Sequence, residues 1–137
     1  MQTGYFYKTQ NNPNVISISA GQPKYISDLK IFDLLAPKWK LLSDFRKNVI
    51  SETDYVIAYT QFLNKLNPKK TWDLLHNLAA DPIICCHCST KHFCHRHLVA
   101  SWFEQKLNVI IPEHSVGIIT RLSGNITASA PSQLNLI

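Results

Sequence analysis

The chain has 137 residues, 45% of them hydrophobic and 17% charged, with a formal net charge of +5 and an isoelectric point of about 9.1. That size suits a single domain with a core of its own, and the composition excludes an intrinsically disordered chain. No apolar run approaches the roughly 20 residues of a membrane span, and residues 1–9 lack the pattern of a secretory signal, so a cytoplasmic protein is expected.

Residues 4–9, with Tyr5, Phe6 and Tyr7 together, read as a first strand. Residues 10–14, rich in Asn and Pro, are a turn signal. Residues 15–18 alternate apolar and small side chains and read as a second strand, ended by Gly21 and Pro23. A loop-rich stretch follows to Lys47, anchored by Leu34, Leu35, Pro37 and Trp39. Ser51 and Asp54 stand as N-cap and N3 of a helix, in a near relative of the capping box. Tyr55, Tyr59, Phe62, Leu63 and Leu66 then share one helical face. Asn67 and Pro68 break that helix and start another, whose buried stripe is Trp72, Leu75 and Ala79, with His76 beside it.

Residues 83–86 form a short, wholly apolar run between turns, the signature of a strand buried on both faces. A polar turn over residues 87–92 leads into a helix from about Cys94 to Leu107, with Leu98, Val99, Trp102 and Phe103 facing inward. Residues 109–111 read as another buried strand, ended by Pro112, and His114 beyond it as a surface residue. Strand, helix and strand make a βαβ unit with a right-handed parallel crossover. From Ser123 the composition turns small and polar, which divides the chain into a domain over residues 1–122 and a tail over 123–137.

Chemistry concentrates in residues 85–97, where eight of thirteen are Cys or His, too many for packing alone. All four cysteines lie here, and adjacent Cys85 and Cys86 cannot staple distant parts of a fold. Such a cluster in a reducing compartment reads as metal-binding or catalytic. The turn leaves the carboxyl end of a parallel strand and enters a helix, the edge at which open α/β sheets bind ligands. Cys94, His95 and Arg96 fall at the helix start, where unpaired N–H groups favour anions. Arg96 adds a forked donor suited to phosphate or carboxylate. The same surroundings favour a Cys94 thiolate, so Cys94 is a candidate nucleophile with His95 or His92 as proton carrier. The rival chemistry is zinc, with Cys86, Cys88, Cys94 and His97 as ligands. At least one of Cys85 and Cys86 reads as core packing.

These residues resemble the domain of unknown function 488 family. Ile16 to Ser19 followed by Pro23 is similar to its early strand and loop, Leu35, Ala36 and Pro37 to its Leu-Ala-Pro element, and Tyr55 and Tyr59 to the tyrosines of its helix. Cys86, then eight residues on Cys94, His95 and Arg96 ahead of an amphipathic helix, is similar to its signature, and Glu113 to a glutamate after the last strand. Members usually carry an acidic residue where Cys88 stands, and an arginine near Ala20 and Gly21. The resemblance implies a fold and a site more than a reaction, in a bacterial or phage cytoplasm.

The expected fold is therefore three-layered α/β and Rossmann-like, with a small, mostly parallel sheet and flanking helices. Its pocket is expected at the carboxyl edge of the strands, walled by Ser17, Ser19, Cys86, Cys88, Cys94, His95, Arg96 and Glu113. The leading expectation is an enzyme-like pocket for a phosphorylated or nucleotide-derived ligand. A nucleic-acid-binding module, with Trp39, Tyr5 or Tyr7 as stacking platforms, is the second. A zinc-stabilised interaction protein without catalysis is the third. The basic residues Lys38, Lys40, Arg46, Lys47, Lys69, Lys70 and Arg96 are scattered, which suits a solvated surface as well as an anionic partner.

Overall fold

A computed structural model describes residues 1–89 and 92–129. Thr90 and Lys91 of the polar turn, and the tail from residue 130, lie outside the described residues. Four short strands form one parallel sheet: β1 (Gln2–Tyr5), β2 (Val15–Ser17), β3 (Lys30–Ile31) and β4 (Ile83–Cys86), in spatial order β1-β4-β2-β3. Tyr5 and Cys86 are register partners, as are Ser17 and Cys85, so the carboxyl ends of β1, β4 and β2 finish together.

Alternation along the strands sends side chains to two faces. Ile16 and Ile84 enter the large core with Tyr55, Tyr59, Leu63, Leu75, Val99 and Phe103. Val15, Ile83 and Cys85 enter a smaller cluster with Phe6, against which Ile26 and Leu29 pack. Every residue of β4 is buried, as its unbroken apolar run requires. The large core is covered by α2 (Trp39–Arg46), α3 (Glu52–Leu63), α4 (Pro68–Leu78) and α5 (His95–Leu107). The third layer is thin: a single turn, α1 (Phe6–Thr9), and the loop carrying Ile26 and Leu29. None of the described helices is long and apolar enough to cross a membrane.

The helix caps follow the sequence. The Ser51 hydroxyl accepts the Asp54 N–H at 3.0 Å and the Asp54 carboxylate accepts the Ser51 N–H at 3.3 Å, completing a capping box for α3. The Asn67 side chain accepts the Lys70 N–H at 3.0 Å, and Pro68 opens α4. The buried tyrosines of α3 tie it inward, with the Tyr59 hydroxyl donating to the Leu35 carbonyl.

Elsewhere the structure corrects the sequence reading. The first strand ends at Tyr5, and the expected strand over residues 4–9 turns instead into α1, held by the Thr9 hydroxyl donating to the Tyr5 carbonyl at 3.0 Å. The stretch read as loops contains a 3-10 turn at Asp33–Leu35 and the whole of α2, whose N-cap Lys38 offers no capping side chain. Trp39 is no anchor; it is 61% exposed.

The expected strand over residues 109–111 is absent. Asn108 turns the chain in the left-handed region at φ 55°. The Ile111 N–H donates to the Glu104 carboxylate at 3.0 Å, and its carbonyl accepts from Arg121 at 2.6 Å, so side chains satisfy its backbone in place of a ladder. Pro112 has no N–H to offer a neighbouring strand. What remains of the crossover is a single parallel bridge between Thr3 and Glu113, two residues further on.

The chain continues into an antiparallel hairpin of β5 (Ile119–Leu122) and β6 (Asn125–Ser129). The boundary at residue 122 suggested by composition falls within this hairpin. Ser123 and Gly124, at φ 51° and 86°, form its two-residue turn, the form in which both central residues need positive φ. The Gly124 carbonyl accepts the Cys94 N–H at 3.0 Å, so the hairpin tip holds the start of α5. A Cβ on residue 124 would overlap the Phe93 ring. Gly124→Ala is therefore expected to lower stability by more than about 1 kcal/mol, from backbone strain and the overlap together, as measured by urea denaturation.

Candidate functional site

β4 delivers two adjacent cysteines to opposite faces of the sheet. Cys85 joins the smaller cluster, its sulfur 3.3 Å from the Thr9 hydroxyl; burial, partly offset by that contact, pushes its thiol up to about 12. It is the packing cysteine. Cys86 faces the other way, toward the start of α5. Cys94 is the N-cap of that helix, in extended backbone at φ −155° and ψ 144°.

The sulfurs of Cys86, Cys88 and Cys94 all lie within 4.8 Å of one another. Cys86 and Cys94 are in sulfur contact, with Cα atoms 7.6 Å apart. A disulfide spans about 4.4–6.8 Å between Cα atoms, so we read the pair as two thiols converging on one point. Cys88 is exposed, while Cys86 and Cys94 are buried, so the cluster has one open side.

His95 stands beside Cys94 at the edge of the cluster. One ring nitrogen, Nε2, lies 2.7 Å from the Ile18 carbonyl, and the other, Nδ1, lies 3.8 Å from Cys94 Sγ. A carbonyl can only accept, so Nε2 carries the proton and Nδ1 faces the sulfur as an acceptor. Burial, reinforced by the Arg96 charge and only partly offset by the Ile18 bond, pulls the ring down to about 4. It is neutral at physiological pH.

Arg96 is completely buried. Its Nη2 donates to Glu113 Oε2 at 2.8 Å and its Nε to Oε1 at 3.3 Å, the paired geometry of a guanidinium on a carboxylate. Its Nη1 donates to Cys86 Sγ at 3.0 Å and to the Cys88 carbonyl at 2.6 Å. The guanidinium thus finds its anion within its own chain and also supports one of the thiols. Burial alone would raise the Glu113 carboxyl, but the Arg96 hydrogen bonds and charge, with the Thr3 hydroxyl at 2.6 Å, hold it down at about 2.

His97 is not part of the sulfur cluster. Its Nδ1 accepts from Arg121 Nε at 2.9 Å, and its Nε2 has no hydrogen-bond partner among the described residues. Burial, with the Arg96 charge, lowers it to about 3. Its sequence distance from Cys94 suggested a shared face, but Cys94 is extended, so helical phase starts only at His95. His92, the alternative proton carrier, is exposed and bonds to Ser89. His114 is half-buried and bonds to the Gln2 side chain at 3.0 Å.

Ser17 ends β2 and Ser19 lies in the loop after it. The Ser17 hydroxyl bonds to the Gln22 side chain and accepts the Ser19 N–H, and Gln22 donates to the Ser19 carbonyl at 3.0 Å. Ser19 and Gln22 border a groove of about 520 Å³, walled also by Lys38, Trp39 and Phe62. The Ile18 carbonyl that orients His95 belongs to the same loop, which connects the groove to the thiols through one residue.

Sequence reasoning missed Thr3 and Arg121. Thr3 holds Glu113, and Arg121 donates to Thr3, to His97 and to the Ile111 carbonyl. Neither lies in a motif, and both reach the site only through the fold.

Breaking a buried ion pair by removing one partner costs about 3–5 kcal/mol, because the other charge stays buried. Glu113→Gln is expected to lose about that much in urea denaturation. The acid's folded value lies near 2 against an ordinary 4.5, so its share of stability is complete above pH 4.5 and is lost as pH falls toward 2. A wild-type chain whose stability is flat between pH 5 and pH 3 would contradict this pairing.

Residues 16–107 match the family model described as DUF488-N3a, the active DUF488-N3 subclade. The matched span runs from β2 to the end of α5 and contains the three clustered thiols, His95 and Arg96. No curated protein and no solved structure matches the chain. The match covers more than half of the sequence, and the chain belongs to the domain of unknown function 488 family.

Proposed function

We propose that the site is a thiol-based, enzyme-like pocket for a small phosphorylated or nucleotide-derived ligand. Cys94 is its nucleophile and His95 the group that takes the thiol proton. The observation that carries this reading is the ordered chain Cys94 Sγ, His95 Nδ1, His95 Nε2, Ile18 carbonyl, at 3.8 Å and 2.7 Å. A nucleophile, a base and a group that orients the base is the general arrangement of activated nucleophiles.

Three further features support it. His95 is neutral and presents its lone pair to the sulfur, the state in which a base can accept a proton. The Cys94 and His97 N–H groups donate to the Gly124 and Cys94 carbonyls; those of His95 and Arg96, at the first two positions of α5, with the helix dipole favour a ligand anion beside Cys94. The matched subclade is described as active, which fits a working site. In this reading Arg96 is a positioning residue. Its pairing with Glu113 fixes the first turn of α5 and holds Cys86 against the cluster.

Reduced, metal-free protein tests the assignment by mass-spectrometric mapping of iodoacetamide labelling at neutral pH. Cys94 is expected to react faster than the same thiol in the denatured chain. His95→Asn is expected to slow it by roughly tenfold or more, and excess inorganic phosphate to protect it. Equal rates in folded and denatured protein, unchanged by His95→Asn, would refute the nucleophile role.

A further inference from the structure

We infer that Cys86, Cys88, Cys94 and His95 form a Cys₃His site for a thiophilic divalent cation, and that its binding caps the Cys94 nucleophile. The capping rests on the thiol reading above; the metal site stands on its own geometry.

The donor set is the first argument. Three sulfurs within 4.8 Å of one another are within reach of one ion; a tetrahedral zinc with bonds of about 2.3 Å places its sulfurs about 3.8 Å apart, so Cys86 and Cys94, in contact here, would part to admit it. His95 Nδ1 stands 3.8 Å from Cys94 Sγ with its lone pair toward the sulfur. The converged group is the three sulfurs alone; we assign His95, and not His97, as the fourth donor, because His97 Nδ1 is taken by Arg121.

The surroundings are the second argument. A metal-bound imidazole typically donates its other N–H to a carbonyl or carboxylate, which fixes the ring. His95 Nε2 does this to Ile18. Thiolate ligands are commonly supported by N–H donors, and Arg96 supplies one to Cys86. The exposed side at Cys88 gives the ion a way in.

Chemistry selects the metal. Three thiolates and an imidazole suit zinc, whereas magnesium and calcium require oxygen ligands. Binding releases one proton from each thiol that enters as thiolate, and no electron is transferred. With its sulfur donating to the ion, Cys94 is a much weaker nucleophile, and His95, its one free lone pair on the metal, has none left to take a proton. The metal-loaded form is closed and the metal-free form reactive.

Reduced full-length protein is titrated with zinc against a chromophoric competitor, and with cobalt(II) as a spectroscopic probe. One equivalent of zinc is expected to bind, and cobalt to give the intense visible bands of tetrahedral thiolate coordination. Cys88→Ser alters an exposed side chain, and it and His95→Asn are each expected to weaken zinc binding by about 100-fold or more. His97→Asn is expected to leave zinc affinity within about twofold of wild type, provided that its circular dichroism is native. One equivalent of zinc is expected to stop iodoacetamide labelling of Cys94, and a chelator to restore it.

Weak or substoichiometric binding, cobalt spectra without thiolate bands, or loss of affinity in folded His97→Asn but not in His95→Asn would overturn the site. Labelling at the metal-free rate with zinc bound would overturn the capping. If zinc binds as described while metal-free Cys94 labels no faster than in the denatured chain, the metal site stands and the nucleophile reading fails.

Discussion

A buried guanidinium must have a counter-charge, and the rest of the site follows from where Arg96 finds it. Arg96 sits in the first turn of α5 and Glu113 lies beside β1, so their pairing ties the helix start to the sheet. The remaining donors of Arg96 reach Cys86 and the Cys88 carbonyl, and so hold the turn between β4 and α5 against the same point. Thr3 and Arg121 close the far side of the pair. The pair costs desolvation, and its return is geometric: one arrangement of strand end, turn and helix start in place of several.

Within that frame the thiols acquire their chemistry. A cysteine at an N-cap lies where the helix dipole favours negative charge. A neutral imidazole next in sequence, turned by a backbone carbonyl, offers that thiol a proton acceptor. Cys88 adds a third sulfur to the cluster, and in the proposed metal site a thiolate there favours a soft metal as a carboxylate would not. In the proposed reading one set of groups supports two states, a reactive thiol and a metal-closed one, with the same imidazole nitrogen serving both.

Much of this was legible in the sequence, for physical reasons. The apolar run of β4 between turn signals can only be a strand buried on both faces, and the pattern after Cys94 is a helix, so the junction and its residues could be read directly. Ser51 and Pro68 marked two helix starts because capping is a local interaction. Glu113 was found through the family pattern.

What sequence could not give was set by long-range contacts. Arg121 and Thr3 are 118 positions apart and meet only in the fold. The choice between His95 and His97 turned on the extended conformation of Cys94, which shifts the helical phase. Residues 109–111 looked like a strand because Val109 and Ile111 pack against the core, yet Ile110 is 67% exposed and the backbone is satisfied by Glu104 and Arg121 side chains. Helix α2 buries no residue completely and lacks a cap, so its local signal was weak. Nitrogen-15 NMR of the ring nitrogens in reduced, metal-free protein at neutral pH reads the His95 imidazole directly. A neutral His95 ring with the proton on Nε2 and an unprotonated Nδ1 is expected; a charged ring, or a proton on Nδ1, would contradict the proposed role of His95.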